Sequence, residues 1–226
     1  MKDSLPAYRK IDLASWPRRE HFQYYRTAVR CGYSVTVPVD VSEAVSFAKR
    51  RGLRFYPCFV YAAAKTVNQQ DAMRMMLTPE GEPGVWEVSH PCFTVFHPDD
   101  GTFSDLWTAY EPEFPAFYRG FAQTEAEFGD RHGIKGRPGQ PANFFCISCV
   151  PWLDYTGYAT YSSGEPALFP ILTFGKYTLR EGRYTLPVTL TISHASADGW
   201  HTSRFFQALR ENLRAFADMD GAAPPV

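Results

Sequence analysis

His194 stands where a run of alternating residues stops. Tyr184, Leu186, Val188, Leu190 and Ile192 hold one set of positions, and Thr185, Pro187, Thr189, Thr191 and Ser193 hold the other. This period-two pattern marks a strand with one face on a core. His194 falls on the apolar set. Scarce water there disfavours a charged imidazole, and a neutral imidazole accepts a proton, as a general base must. The position equally suits a core histidine bonded to a backbone carbonyl. Asp198 follows, ahead of Gly199 and a helical pattern, and capping that helix accounts for it without chemistry. Ser148 sits between Cys146 and Val150 on one face of a second apolar run. A hydroxyl buried among such neighbours needs a partner, either a substrate oxygen or a backbone carbonyl. Cys146 and Cys149 form a C-x-x-C within the same run, so their side chains point to opposite faces of a strand, which does not make a redox pair. No second cysteine pair or spaced histidine completes a zinc site, and none is expected.

Five helices are expected to position these groups, over 17–29, 41–50, 57–76, 113–128 and 200–216. Pro17 suits an early helical position, Asp40 is a candidate N-cap, and Phe206, Leu209, Leu213 and Phe216 recur at helical spacing. Strands are expected over 91–97, 144–152, 169–177 and 184–194. Glycine and proline crowd 129–141, which reads as a functional loop or a boundary. Helices and strands mix irregularly, which predicts an α+β two-layer sandwich with a mixed sheet covered by helices. One domain is expected over 1–220, with a flexible tail over 221–226.

Composition narrows the function. The 226 residues carry 23 Lys+Arg against 24 Asp+Glu, a balance that argues against a protein coating nucleic acid or held electrostatically on a membrane. Aromatic residues make up 16%, enough for a thick core and a pocket gripping flat apolar ligands. Five cysteines are too few for a disulfide scaffold. Residues 1–16 lack an apolar stretch of signal-peptide type, and a reducing cytoplasm is expected. The chain has no G-x-G-x-x-G, P-loop, H-E-x-x-H or G-x-S-x-G, which argues against the common nucleotide folds, zinc peptidases and α/β-hydrolases.

The stretch Ser193-His194-Ala195-Ser196-Ala197-Asp198-Gly199-Trp200-His201 resembles the signature of the chloramphenicol acetyltransferase family. So does the opening Trp16-Pro17-Arg18-Arg19-Glu20-His21-Phe22-Gln23-Tyr24-Tyr25-Arg26. Cys31-Gly32-Tyr33, Phe55-Tyr56-Pro57, Phe93-Thr94-Val95-Phe96-His97, Ile147-Ser148 and Pro170-Ile171-Leu172-Thr173 match as well, in order along nearly the whole chain. H-x-x-x-D-G alone is shared by several coenzyme A acyltransferases; the N-terminal block and the internal matches narrow the resemblance to this family.

The resemblance implies a mixed-sheet sandwich assembling as a homotrimer, with active sites between subunits. It implies acetyl-CoA as co-substrate, no tightly bound cofactor, no metal, and chloramphenicol or a similar hydroxylated molecule as acceptor. By the same resemblance His194 is the general base, Ser148 donates to the oxyanion, and Thr173 assists through an ordered water. Asp198 pairs with Arg18 to hold the His-bearing turn. Tyr25, Val29, Cys31, Tyr33 and Phe103 fall where the family lines its acceptor pocket, as does Cys146, where a polar amide is common.

Three further departures stand out. Ser193 occupies a place where a second histidine is frequent. Asp105 replaces a small apolar residue. Residues 132–138 lack the aromatic that the family pocket takes from this region. A buried Asp105 needs a partner, so it faces solvent or meets a polar acceptor group. The reading favoured is acetylation of chloramphenicol. The alternatives are the same chemistry on another small alcohol or amine, and an idle homologue that binds without turnover. Joint retention of His194, Ser148, Thr173, Arg18 and Asp198 argues against the idle homologue.

Overall fold

The computed structural model describes residues 5–160 and 164–221, with side chains through 219. Its elements are β1 (Tyr8–Lys10), α1 (Arg19–Thr27), β2 (Gly32–Asp40), α2 (Ser42–Arg51), α3 (Phe55–Asn68), β3 (Met75–Leu77), β4 (Pro83–Trp86), β5 (His90–His97), β6 (Thr102–Trp107), α4 (Phe114–Phe128), β7 (Phe144–Cys149), β8 (Ile171–Phe174), β9 (Thr178–Arg180), β10 (Arg183–Ser193) and α5 (Gly199–Arg214). The main sheet runs β2-β10-β8-β7-β5-β6, with β9 paired to β10, and β1-β4-β3 form a small second sheet. β5-β7-β8 are parallel neighbours, while β6-β5, β8-β10 and β10-β2 pair antiparallel, so the sheet is mixed as expected.

Helices cover one face. α3 is buried nearly all round because it carries Val60, Ala62, Ala63, Ala64 and Val67 between its neighbours and the sheet. Phenylalanines fasten the two layers: Phe59 meets Phe174 with ring centres 4.2 Å apart, and Phe121 stacks on Phe93 at 4.2 Å. Such pairs add to the large apolar area each ring removes from water.

The opposite face of the sheet bears no helix among the described residues and has a different chemistry. In register across it lie Asp105 opposite Thr94, Ser148 opposite Thr173, and Thr173 opposite Thr189, which in turn faces Thr36. Residues directly opposite in a sheet share a face, so one transverse row is almost wholly hydroxyl-bearing. Thr36 and Thr189 bond through their hydroxyls at 2.8 Å, and Ser34 and Thr191 at 2.7 Å.

Several boundaries differ from the sequence expectation. α3 ends at Asn68 and does not reach residue 76. There the Asn68 amide donates to Ala64 and Ser89 carbonyls at 2.9 and 2.8 Å, and its oxygen accepts the Ser89 N–H at 2.8 Å. That clamp diverts the chain into a short 3-10 turn and then β3, whose buried Met75 and Met76 mimic continued helical periodicity. Val41, not Asp40, holds the N-cap position of α2, although the Asp40 carboxylate still accepts the Ser42 N–H at 2.9 Å. β10 stops at Ser193, so His194 lies just beyond it, and its hydroxyl face is buried too, with Thr189 and Ser193 both enclosed. The tail expected over 221–226 lies outside the described residues apart from the backbone of Gly221.

Candidate active site

His194 opens the tight turn that joins β10 to α5. Its own N–H bonds the Cys31 carbonyl at 3.0 Å, and the Ser193 carbonyl accepts from Ser196 and Ala197 N–H at 3.0 and 3.2 Å. The outward carbonyls of the turn are gathered by one guanidinium. Arg18 Nη1 donates to Ala195 O at 3.1 Å and Ser196 O at 2.7 Å, and Nη2 donates to His194 O at 3.3 Å. Only a planar, multi-donor cation can span three carbonyls in this way. Burial pulls the Arg18 pKa down, and the charge of Asp198 opposes that. Asp198 Oδ2 lies 3.5 Å from Arg18 Nε, an ion pair lacking hydrogen-bond geometry.

Asp198 serves a second purpose, the capping role read from the sequence. Its Oδ1 accepts from Trp200 N at 3.0 Å and His201 N at 3.4 Å, closing the N-terminus of α5. His201 Nδ1 also lies 2.8 Å from Oδ1. Burial pushes the Asp198 carboxyl up, but the bonds and charge of His201 and the charge of Arg18 hold it below the usual range. His201 was missed in the sequence; the signal was its place three residues after a capping carboxylate.

Removing the Arg18 clasp makes a sharp prediction. Arg18→Ala leaves three carbonyls unpartnered and an aspartate without its cation, so it should lower stability by about 2–4 kcal/mol. Turnover measured well below the melting temperature should fall about 10–100-fold, because a shift of an ångström at a reacting group is that costly. Arg18→Lys should recover only part of this, since an ammonium cannot span the carbonyls. Wild-type turnover in Arg18→Ala, with a lowered melting temperature, would reduce Arg18 to a stability element.

The His194 ring is half-buried, not enclosed as its place in the alternation suggested. Tyr25 of α1 stacks on it with ring centres 3.8 Å apart and planes 9° from parallel. Tyr33 of β2 meets it edge-on at 5.2 Å, and the Tyr33 hydroxyl is fixed by Thr202 at 2.7 Å. Nδ1 is buried and makes no hydrogen bond among the described residues. Phe22 and Ala195, buried in one small cluster, seal α1 against the turn. Thus Arg18, Tyr25, Cys31, Tyr33, His194 and Asp198 come together within one chain. Val29 lies exposed just after α1.

Ser148, Thr173, Cys146 and Phe103 do not join them. Ser148 and Thr173 sit side by side on the helix-free face of the sheet, and Ser148 Oγ makes no hydrogen bond among the described residues. Their register runs through Thr189, five residues before His194 and two strands from Ser148. At about 3.4 Å per residue and 4.8 Å per strand, Ser148 is about 19 Å from His194 in the same chain. Phe103 is exposed on β6 opposite Phe96. Cys146 and Cys149 lie on opposite faces of β7, and burial pushes their thiols up to about 11 and about 12, so neither is a ready thiolate.

Asp105 finds a partner in its own chain. Lys135 Nζ lies 3.3 Å from its carboxylate and donates to Gln140 at 2.8 Å, while the backbone of 105 bonds residues 134 and 136. The loop where an aromatic was sought is therefore stitched to β6 by a half-exposed ion pair.

A helix-backed mixed sheet with a histidine on the turn after its longest strand is an acyltransferase architecture. It is similar to a solved chloramphenicol acetyltransferase structure with a TM-score of 0.80 and 24% identity, covering 92% of this chain and 100% of that one. It also resembles a dihydrolipoamide acetyltransferase from Azotobacter vinelandii, with a TM-score of 0.64 and 18% identity over 97% of this chain and 93% of that one. The family profile described as Chloramphenicol acetyltransferase matches residues 6–210, and the chain belongs to that family. A chloramphenicol acetyltransferase of Streptomyces acrimycini is 40% identical over 214 residues, 94% of this chain and 97% of the relative. One from Clostridium perfringens is 35% identical over 211 residues, 90% of this chain and 94% of the relative. No helix among the described residues is long and apolar enough to cross a membrane.

Proposed function

We propose that this chain is a chloramphenicol O-acetyltransferase, a single catalytic domain over 1–220 that inactivates the antibiotic in the cytoplasm. The observation that carries the reading is the clasped turn, which holds His194 against Tyr25 with Nδ1 buried and Nε2 free. Nε2 takes the proton of an acceptor hydroxyl as that oxygen bonds to the acetyl carbonyl carbon of acetyl-CoA. The carbonyl electrons move onto oxygen, and the Ser148 hydroxyl donates to that oxyanion. Collapse expels the coenzyme A thiolate, which takes its proton from the imidazolium. An acetyl ester and free coenzyme A result, with proton and electron count balanced. Thr173 orders a water beside Ser148.

Because about 19 Å separates Ser148 from His194 within a chain, the reaction needs Ser148 from a second copy. The site then lies between subunits of a homotrimer, with Tyr25, Val29, Cys31 and Tyr33 on the His194 side and Phe103 and Cys146 on the other. Purified protein should release thiol from acetyl-CoA only when chloramphenicol is added. The Asp105–Lys135 pair supports a second reading, in which the same chemistry serves another small alcohol or amine. Thiol release with such an acceptor and none with chloramphenicol would decide for it.

A further inference from the structure

Away from the site described above, three side chains converge where β5 ends. His97 is the last residue of β5 and 5% exposed. Asp99 lies in the turn to β6, and His132 lies in the loop after α4. One ligand atom from each sits within 4.8 Å of the others. The two imidazoles stack with centres 4.1 Å apart, and Asp99 Oδ2 is 3.4 Å from His132 Nε2.

The outer contacts are what a ligand set requires. Ser104 Oγ lies 2.7 Å from His97 Nε2, and Asp100 Oδ2 lies 2.7 Å from His132 Nδ1. One nitrogen of each ring is therefore held, leaving the other to bind. Asp100 is itself anchored, because its Oδ1 accepts from the N–H and hydroxyl of Thr102 at 2.9 and 2.7 Å. A carboxylate on the far nitrogen of a ligating histidine fixes its tautomer and raises its basicity.

We propose that His97, Asp99 and His132 bind a divalent ion of the zinc class. Two imidazole nitrogens and one carboxylate oxygen make a zinc donor set with a fourth place for water. Calcium and magnesium favour all-oxygen shells and do not suit it. Bonds of about 2.0–2.1 Å bring ligand atoms to about 3.3 Å apart. The partly exposed His132 and Asp99 side chains can make that adjustment over a fixed His97. The ion ties the β5–β6 turn to the loop carrying Lys135, which the Asp105 pair already holds further along. The 34 residues between His97 and His132 (98–131) hide this site from any spacing motif.

The test uses tag-free full-length protein, stripped with chelator and titrated with zinc chloride by calorimetry, with cobalt as a spectroscopic probe. One zinc per chain is expected. His132→Ala and Asp99→Ala, both changes at exposed groups, should each weaken binding at least about 100-fold, whereas His194→Ala should not. The cobalt form should lack a thiolate charge-transfer band. No saturable binding by wild type, unchanged affinity in His132→Ala, or a thiolate band from the free cysteines would each overturn the assignment.

Discussion

His194→Ala should lower turnover by about 10³–10⁴ with little change in stability. A positioned general base contributes up to about that factor, and nothing adjacent can replace it. The side chain makes its principal described contact by stacking on Tyr25 at 3.8 Å, and Nδ1 has no hydrogen-bond partner to lose. Truncation therefore forfeits an aromatic contact of about 0.5–1.5 kcal/mol. The clasp by Arg18 binds backbone carbonyls, which the substitution retains. Kinetics and thermal melts on the same preparation separate the effects. A variant that melts like wild type yet has lost turnover identifies the base. Turnover within tenfold of wild type would return His194 to the role of a core histidine.

Much of the fold was legible because its strongest pattern belongs to its longest strand. The alternation over β10 pointed to a sheet, and the mixture of elements around it gave the α+β class. β2 was harder to read, since Pro38 removes a backbone donor in mid-strand. β6 was obscured by Ser104 and Asp105, whose polarity is met by His97 across the β5–β6 hairpin and by Lys135 from the loop after α4. The overrun of α3 came from methionines that suit a helix and a short strand equally. Within the site, the Arg18 to Asp198 pairing followed from matching motifs, and the double duty of Asp198 as cap and ion partner was partly visible. The division of the site was not. It depends on the order β10-β8-β7, which sets Ser148 two strands from β10 and on the face away from Tyr33 and the helices.

That division yields the second large effect. Ser148→Ala should lower turnover about 10²–10³-fold, the cost of losing one oxyanion donor, with substrate affinity nearly unchanged. Stability should hold, because Ser148 Oγ bonds nothing among the described residues. The stronger test combines two dead proteins. In the proposed ring of identical subunits each site would take its histidine from one chain and its serine from the next, a heterologous contact. Equal amounts of His194→Ala and Ser148→Ala chains, unfolded together and refolded, then assemble at random. A site is intact when an unaltered His194 meets an unaltered Ser148, which happens at about one quarter of the contacts in a closed heterologous ring. Activity should rise from near zero in either variant to about 25% of wild type in the mixture, and mixing the folded proteins without unfolding should restore much less. A pair about 19 Å apart and on opposite faces of one sheet has no route to this recovery within a single chain. Complete absence of recovery from properly refolded mixed oligomers would mean that Ser148 does not complete the His194 site from a neighbouring subunit.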